Sequence, residues 1–236
     1  MYLQRIVRQA LRLGLLVILV VLAMNACGGG GEAAGGGGGE EQAKARPLPQ
    51  DPEALRPGQY RTEGFEPSLS FTVGKGWSNA EAQLSDYIYL GQGVSQGEER
   101  WVRFANVKEV YKPGTLNVVK APKDLVGWFQ HHPYLKTGKP EPVTVGVVKG
   151  EQFDVLVEDL PQDFYGECGR GCVDIASLSN DEQLLEFREG KKRRVIVLED
   201  VKGSTVTIDF GSIVADFDNF LPEAQKVVDS VKWGDS

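Results

Sequence analysis

The sequence predicts one α+β domain, an antiparallel β-sheet flanked by helices, over residues 59–236. Three observations predict it: short runs of alternating apolar and polar residues, two Val-Lys-Gly steps between β-rich segments, and a late segment with apolar residues three and four apart. The first alternating run is Leu69 to Val73, closed by Gly74-Lys75-Gly76. Aromatic and β-branched residues then mark strands over Asp86–Leu90 and Trp101–Val107. Lys149-Gly150 and Lys202-Gly203 each divide a β-rich stretch, and glycine can supply the positive φ of a tight turn, so two antiparallel hairpins are expected there. In the second hairpin, Val206, Ile208 and Phe210 alternate with Thr205, Thr207 and Asp209, which predicts a half-buried strand.

Helical spacing is found twice. In the first, Pro122 opens a segment that ends before Pro133, with Asp124 in its first turn and Leu125, Val126 and Phe129 on one side. In the second, Phe217–Val231, Phe220, Leu221, Ala224, Val227, Val228 and Val231 form the stripe, Pro222 is expected in the first turn, and Asp218 or Asn219 is available as cap.

The residues before the domain read as an address and a tether. Arg5, Arg8 and Arg12 precede the apolar run Leu13–Met24, too short to span a bilayer and suited to a secretory signal. Met24-Asn25-Ala26-Cys27 resembles the lipobox of bacterial lipoproteins; Ala26 and Cys27 fit, while Met24 and Asn25 depart from the usual Leu and small residue. The resemblance implies a signal peptide over residues 1–26 and a diacylglycerol on the Cys27 thiol, which anchors the protein to the extracytoplasmic face of the cell membrane. An uncleaved signal anchor is the alternative. Gly28–Gly31, Gly35–Gly39 and four prolines up to Pro57 then predict a disordered tether over residues 27–58, spanning about 30 Å.

At its ends the domain resembles the Mog1/PsbP-like fold. The residues that carry the likeness are Phe71-Thr-Val-Gly-Lys-Gly-Trp77 and Leu221-Pro-Glu-Ala-Gln-Lys-Val-Val-Asp-Ser-Val231. The likeness implies an antiparallel sheet flanked by helices and a noncatalytic partner or assembly factor.

Composition narrows the function. The chain carries 26 basic and 33 acidic side chains, a net charge of −7, and loss of the three leader arginines takes it to −10, which argues against nucleic acid as a partner. Cys168-Gly-Arg-Gly-Cys172 is expected to close as a disulfide in an oxidising compartment, with free thiols or a redox pair as alternatives. Two cysteines without a neighbouring histidine do not make a zinc site, and His131-His132 has no nucleophile motif beside it, so no catalytic residue, metal or cofactor is expected. That pair reads as an exposed helix end. Lys191-Lys192-Arg193-Arg194 reads as a solvated loop or a contact with anionic headgroups, and Glu98-Glu99 and Asp216/Asp218 as surface charge. Trp77, Trp101, Trp128 and Trp233 are core anchors or pocket walls; Trp77, Trp101 and Trp128 are the candidates for a ligand or partner surface, Trp101 foremost because it follows a charged loop. The expected function is that of a lipid-anchored envelope protein serving as an interaction or assembly module, with a carrier for a small apolar or lipid ligand as the alternative. Replacing the thiol tests the anchor: Cys27→Ser is expected to leave the membrane fraction on carbonate extraction, and retention there would refute lipidation.

Overall fold

The computed structural model describes residues 45–93, 100–178 and 183–234, all within one compact unit. Its central strand, Ser204–Ile213, departs from the half-buried expectation, because Thr207 and Asp209 are as deeply buried as Val206, Ile208 and Phe210 on the opposite face. The reason is a second core. Alternation sends Val206, Ile208, Phe210, Ile196 and Leu198 into one cluster and Val195, Val197, Ala105 and Phe153 into another, so the sheet is covered on both sides.

That sheet is antiparallel throughout, in the spatial order Leu135–Thr137, Val148–Val157, Lys191–Val201, Ser204–Ile213, Arg100–Asn106, Tyr87–Gln92, Trp77–Asn79 and Glu53–Ala54, with Glu141–Val145 also paired to Val148–Val157. A smaller sheet of Arg46–Pro47, Gly58–Arg61, Leu69–Val73 and Lys232–Trp233 contributes Tyr60, Leu69, Phe71 and Val73 to the first core. The second core is closed by the hairpin Cys172–Leu178/Gln183–Arg188, which brings Val173, Ile175, Leu185 and Phe187.

Helices cover less of the sheet than expected. Helix α1, Leu125–Gln130, starts three residues after Pro122, and Asp124 is its cap, accepting from the Gly127 N–H at 2.6 Å. It adds Leu125, Val126 and Phe129 to the second core. Helix α2, Phe217–Asp229, adds Phe220, Ala224, Val227 and Val228 to the first. Neither Asp218 nor Asn219 caps it; the cap position is Asp216, and a 3-10 turn, Val214–Asp216, leads in, which moves Pro222 from the first turn to the sixth helical residue.

One expected hairpin turn is shifted. Lys202 and Gly203 have φ of 53° and 84° and form the two-residue loop between Val201 and Ser204. In the other hairpin the loop is Gly146-Val147, between Val145 and Val148, and Gly150 lies inside the strand. There a side chain would collide with the Val197 carbonyl oxygen, so glycine serves close strand approach rather than the turn.

The folded body also begins earlier than residue 59. Residues 45–58, assigned above to the tether, include Arg46–Pro47, paired in parallel with Tyr60 and Arg61, and Glu53–Ala54, paired with Ser78 and Asn79. Leu48 is 1% exposed and Leu55 6%, both in the first core. Prolines suit this path, since edge segments need few backbone donors. Leu48→Ala is expected to cost about 2–5 kcal/mol in urea unfolding, the usual range for a buried leucine; an unchanged midpoint would return residues 45–58 to the tether.

Candidate functional site

Strand register brings together residues far apart in sequence. Arg103 lies directly opposite Asp209, and Trp101 opposite Gly211, whose other neighbour is Arg193. All these side chains point into the second core's side of the sheet. A side chain at 211 would come within 2.9 Å of both the Arg193 Cβ and the Trp101 ring, so the absent side chain makes room for them.

Asp209 is 2% exposed and accepts three hydrogen bonds: from Arg103 Nε at 2.9 Å, Arg103 Nη2 at 2.9 Å and Trp101 Nε1 at 2.8 Å. Burial is the largest single effect and works against the charge on Arg103, but Asp209, Tyr87 and Glu186 together outweigh it and hold the guanidinium's pKa well above its ordinary value. Arg193, 3% exposed, fares differently. Its nearest carboxylate oxygen is Asp209 Oδ2 at 3.6 Å, outside hydrogen-bond reach, and Nη1 donates to the Glu186 carbonyl at 3.2 Å. Its guanidinium sits 3.8 Å over the Phe187 ring and 5.2 Å from the centre of Trp101. Burial and the like charge of Arg103 bring its pKa down to about 9.

Tyr89, Trp101, Arg103, Glu186, Arg188 and Arg193 line a small cleft with Lys191 at its edge. Its volume is about 30 Å³, room for one or two water-sized groups and far below a drug-sized pocket. One of its lining residues, Arg188, reaches the Cys168–Cys172 disulfide loop. The two cysteines are bonded, with Cα atoms 6.1 Å apart, and Gly169 and Gly171 take positive φ so that the loop doubles back as expected. Buried Asp174 secures it by accepting from the Glu167 and Cys168 N–H groups, and Arg188 donates to the Cys168 carbonyl at 3.3 Å.

The basic run Lys191–Arg194 is not a free patch. Alternation buries Arg193 and sends Arg194 to Asp154 at 2.8 Å, with Lys192 3.2 Å from the same carboxylate and 4.5 Å over Phe217. Asp216 is likewise committed, held below the usual carboxylate range by a two-point bond to Arg100, at 2.6 and 2.8 Å.

A broader groove lies near Leu116, beside the same hairpin. One part, about 460 Å³, lies among Tyr111, Leu116, Glu167, Ser177, Gln183 and Leu184. An adjoining part, about 280 Å³, is bounded by Leu116, Pro161, Asp163, Phe164 and Tyr165. Leu116 is 53% exposed and Tyr165 68%, so the two depressions share an accessible apolar rim.

The tryptophans distribute differently from expectation. Trp77 packs on Phe220, ring centres 6.0 Å apart, inside the first core. Trp101 is the second residue of its strand and, although it follows the loop as expected, it is 4% exposed and walls the polar cleft. Trp128 is half-buried, 5.0 Å from His132. Trp233 donates to the Val145 carbonyl at 3.1 Å. The histidine pair splits: His131 is exposed, its Nδ1 2.7 Å from the Gly127 carbonyl at the helix end, whereas His132 is buried between Trp128 and Tyr134. Asp124 caps α1 and Asp154 pairs with Arg194, so both carboxylates are engaged away from the histidines. Among the described residues no three His, Cys, Asp or Glu side chains cluster as a metal site. Cys27 and Glu98-Glu99 lie outside the described residues.

Sequence reasoning missed the Arg103–Asp209–Arg193 cluster. The available signal was Asp209, the one charged residue in its strand, beside a strand that carries Arg103 in its middle.

No family model matches the chain, and no curated protein sequence matches it. A solved structure, the solution structure of cyanobacterial PsbP (CyanoP) from Synechocystis sp. PCC 6803, superposes with a TM-score of 0.40 and 10% identity over 76% of this chain and 95% of that chain. A likeness this loose carries no inference about the present chain.

Burial brings the His132 pKa down to about 4, and its Nε2 has no partner among the described residues. The ring is therefore neutral in the fold while the unfolded chain protonates near the ordinary value of 6.5. Stability is expected to be unaffected by this group above pH 6.5, to fall as pH drops from 6.5 to about 4, and to level off below, by about 3 kcal/mol in all. His132→Phe should flatten that segment of the stability profile; an unaltered slope would overturn the assignment.

Proposed function

We propose that this protein is a lipid-anchored, extracytoplasmic interaction module, noncatalytic, whose folded body presents the Leu116/Tyr165 groove to a protein component of the cell envelope. The anchor rests on the Arg5/Arg8/Arg12 run, the short apolar segment and Cys27. The Cys168–Cys172 bond supports an oxidising location. The single observation that carries the docking role is the apolar rim: Leu116 and Tyr165 remain exposed beside depressions of about 460 and 280 Å³ whose lining also includes polar Glu167.

The alternative, a carrier for a small apolar ligand, draws less support. A carrier site buries most of its ligand. Here Trp77 is packed in the core, Trp101 walls a polar cleft, and the groove is open along its rim.

A photocrosslinking residue at position 116 or 165 in cells is expected to trap the same envelope protein, whereas one at Val147, 90% exposed on a hairpin tip, should not. Equal trapping at all three positions, or none at 116 and 165, would remove the docking surface.

A further inference from the structure

We propose that the cleft beside Trp101 is a binding site for a single carboxylate group, held chiefly by Arg193 and, at the mouth, by Arg188. The inference is independent of the anchor and of the groove.

A buried guanidinium is costly unless its donors are met and its charge is paired. Arg193 presents five N–H donors, and within the described structure it makes one hydrogen bond, to the Glu186 carbonyl. Asp209 lies 3.6 Å away, near enough to attract the charge but beyond hydrogen-bond reach, and its oxygens take three hydrogen bonds from Arg103 and Trp101. Glu186 turns its own carboxylate toward Arg188, at 3.3 Å, and Arg103, at 3.5 Å. Glu81 lies in the same field, but burial raises its pKa and its carboxylate accepts from Gln183 at 2.9 Å. Arg193 thus faces the cleft with its charge attracted to Asp209 but with most of its N–H donors unspent among the described residues.

The cleft is shaped for a planar anion. The guanidinium lies 3.8 Å over Phe187, with the Trp101 ring centre 5.2 Å away, and a partner in the cleft would meet its edge. A carboxylate matches that edge with two parallel acceptors. The volume of about 30 Å³ admits such a group and leaves the remainder of the molecule outside, so the ligand can be a small free acid or the end of a longer chain.

Trp101 makes the site self-reporting. Acetate added to the full-length protein in detergent, at ionic strength fixed with sodium fluoride, is expected to change the tryptophan fluorescence saturably. An acetylated Ala-Ala dipeptide with a free C-terminus tests the chain-end source, and its C-terminal amide should give no change. Arg193→Gln should weaken acetate at least tenfold, as loss of a charge-assisted pair does. Should that variant unfold, Arg188→Gln, altered at the half-exposed mouth, is expected to weaken acetate about threefold. Absence of saturation, equal response to the amide, tighter binding of inorganic phosphate than of acetate, or unchanged affinity in the folded variants would overturn the assignment.

Discussion

The carboxylate of Asp209 is the constraint on which the sheet depends. It sits 2% exposed at the centre of the longest pairing in the molecule, and its three donors come from one neighbouring strand. A charge so placed is stable only while those donors stay fixed, and removing one side of such a pair costs about 3–5 kcal/mol. The bidentate Arg103 fork therefore specifies register. Slipping Arg100–Asn106 by one residue would turn Arg103 and Trp101 into the first core and strand Asp209 without a partner. The same arrangement ties the sheet to the hairpin above it, since Arg103 and Arg193 both donate to the Glu186 carbonyl.

Much of the fold was legible in sequence, and the misses have a common physical cause. Leu69–Val73 was fixed by alternation, α2 by its apolar stripe, and the Lys202-Gly203 turn by a positive-φ glycine between β-rich flanks. Lys149-Gly150 carries the same local signal, yet its glycine answers a contact with Val197, 47 positions away. Pro122 and Pro222 were misplaced within their helices because capping by Asp124 and the 3-10 entry at Val214–Asp216 decide where each helix starts. Local chemistry names a glycine or proline as special but does not say which neighbour requires it.

The candidate sites were less legible for the same reason, at longer range. Asp209 reads as an exposed position on a polar face until a second layer covers it, and nothing near it in sequence announces the hairpin Cys172–Arg188 that does so. The basic run at Lys191–Arg194 reads as a patch because composition ignores the strand's alternation, which sends its members to different fates. By contrast, the disulfide was visible from spacing and compartment, because its loop is local.

The entry of the chain into the body has a mechanical side. Arg46 reaches back to donate to the Arg56 and Pro57 carbonyls and covers the Tyr60 ring at 4.5 Å, while Arg46–Pro47 holds a two-residue parallel pairing at the sheet's edge. Tension arriving from the N-terminal side meets this clasp before it meets the core. The chain behind it is held firmly, because Leu48 and Leu55 sit in the first core and the Asn79 and Gln83 amides donate to the Leu48, Pro49 and Asp51 carbonyls. A pull from that side would therefore be carried into the edge of the large sheet, where Glu53–Ala54 pairs with Ser78 and Asn79, with little slack to take it up.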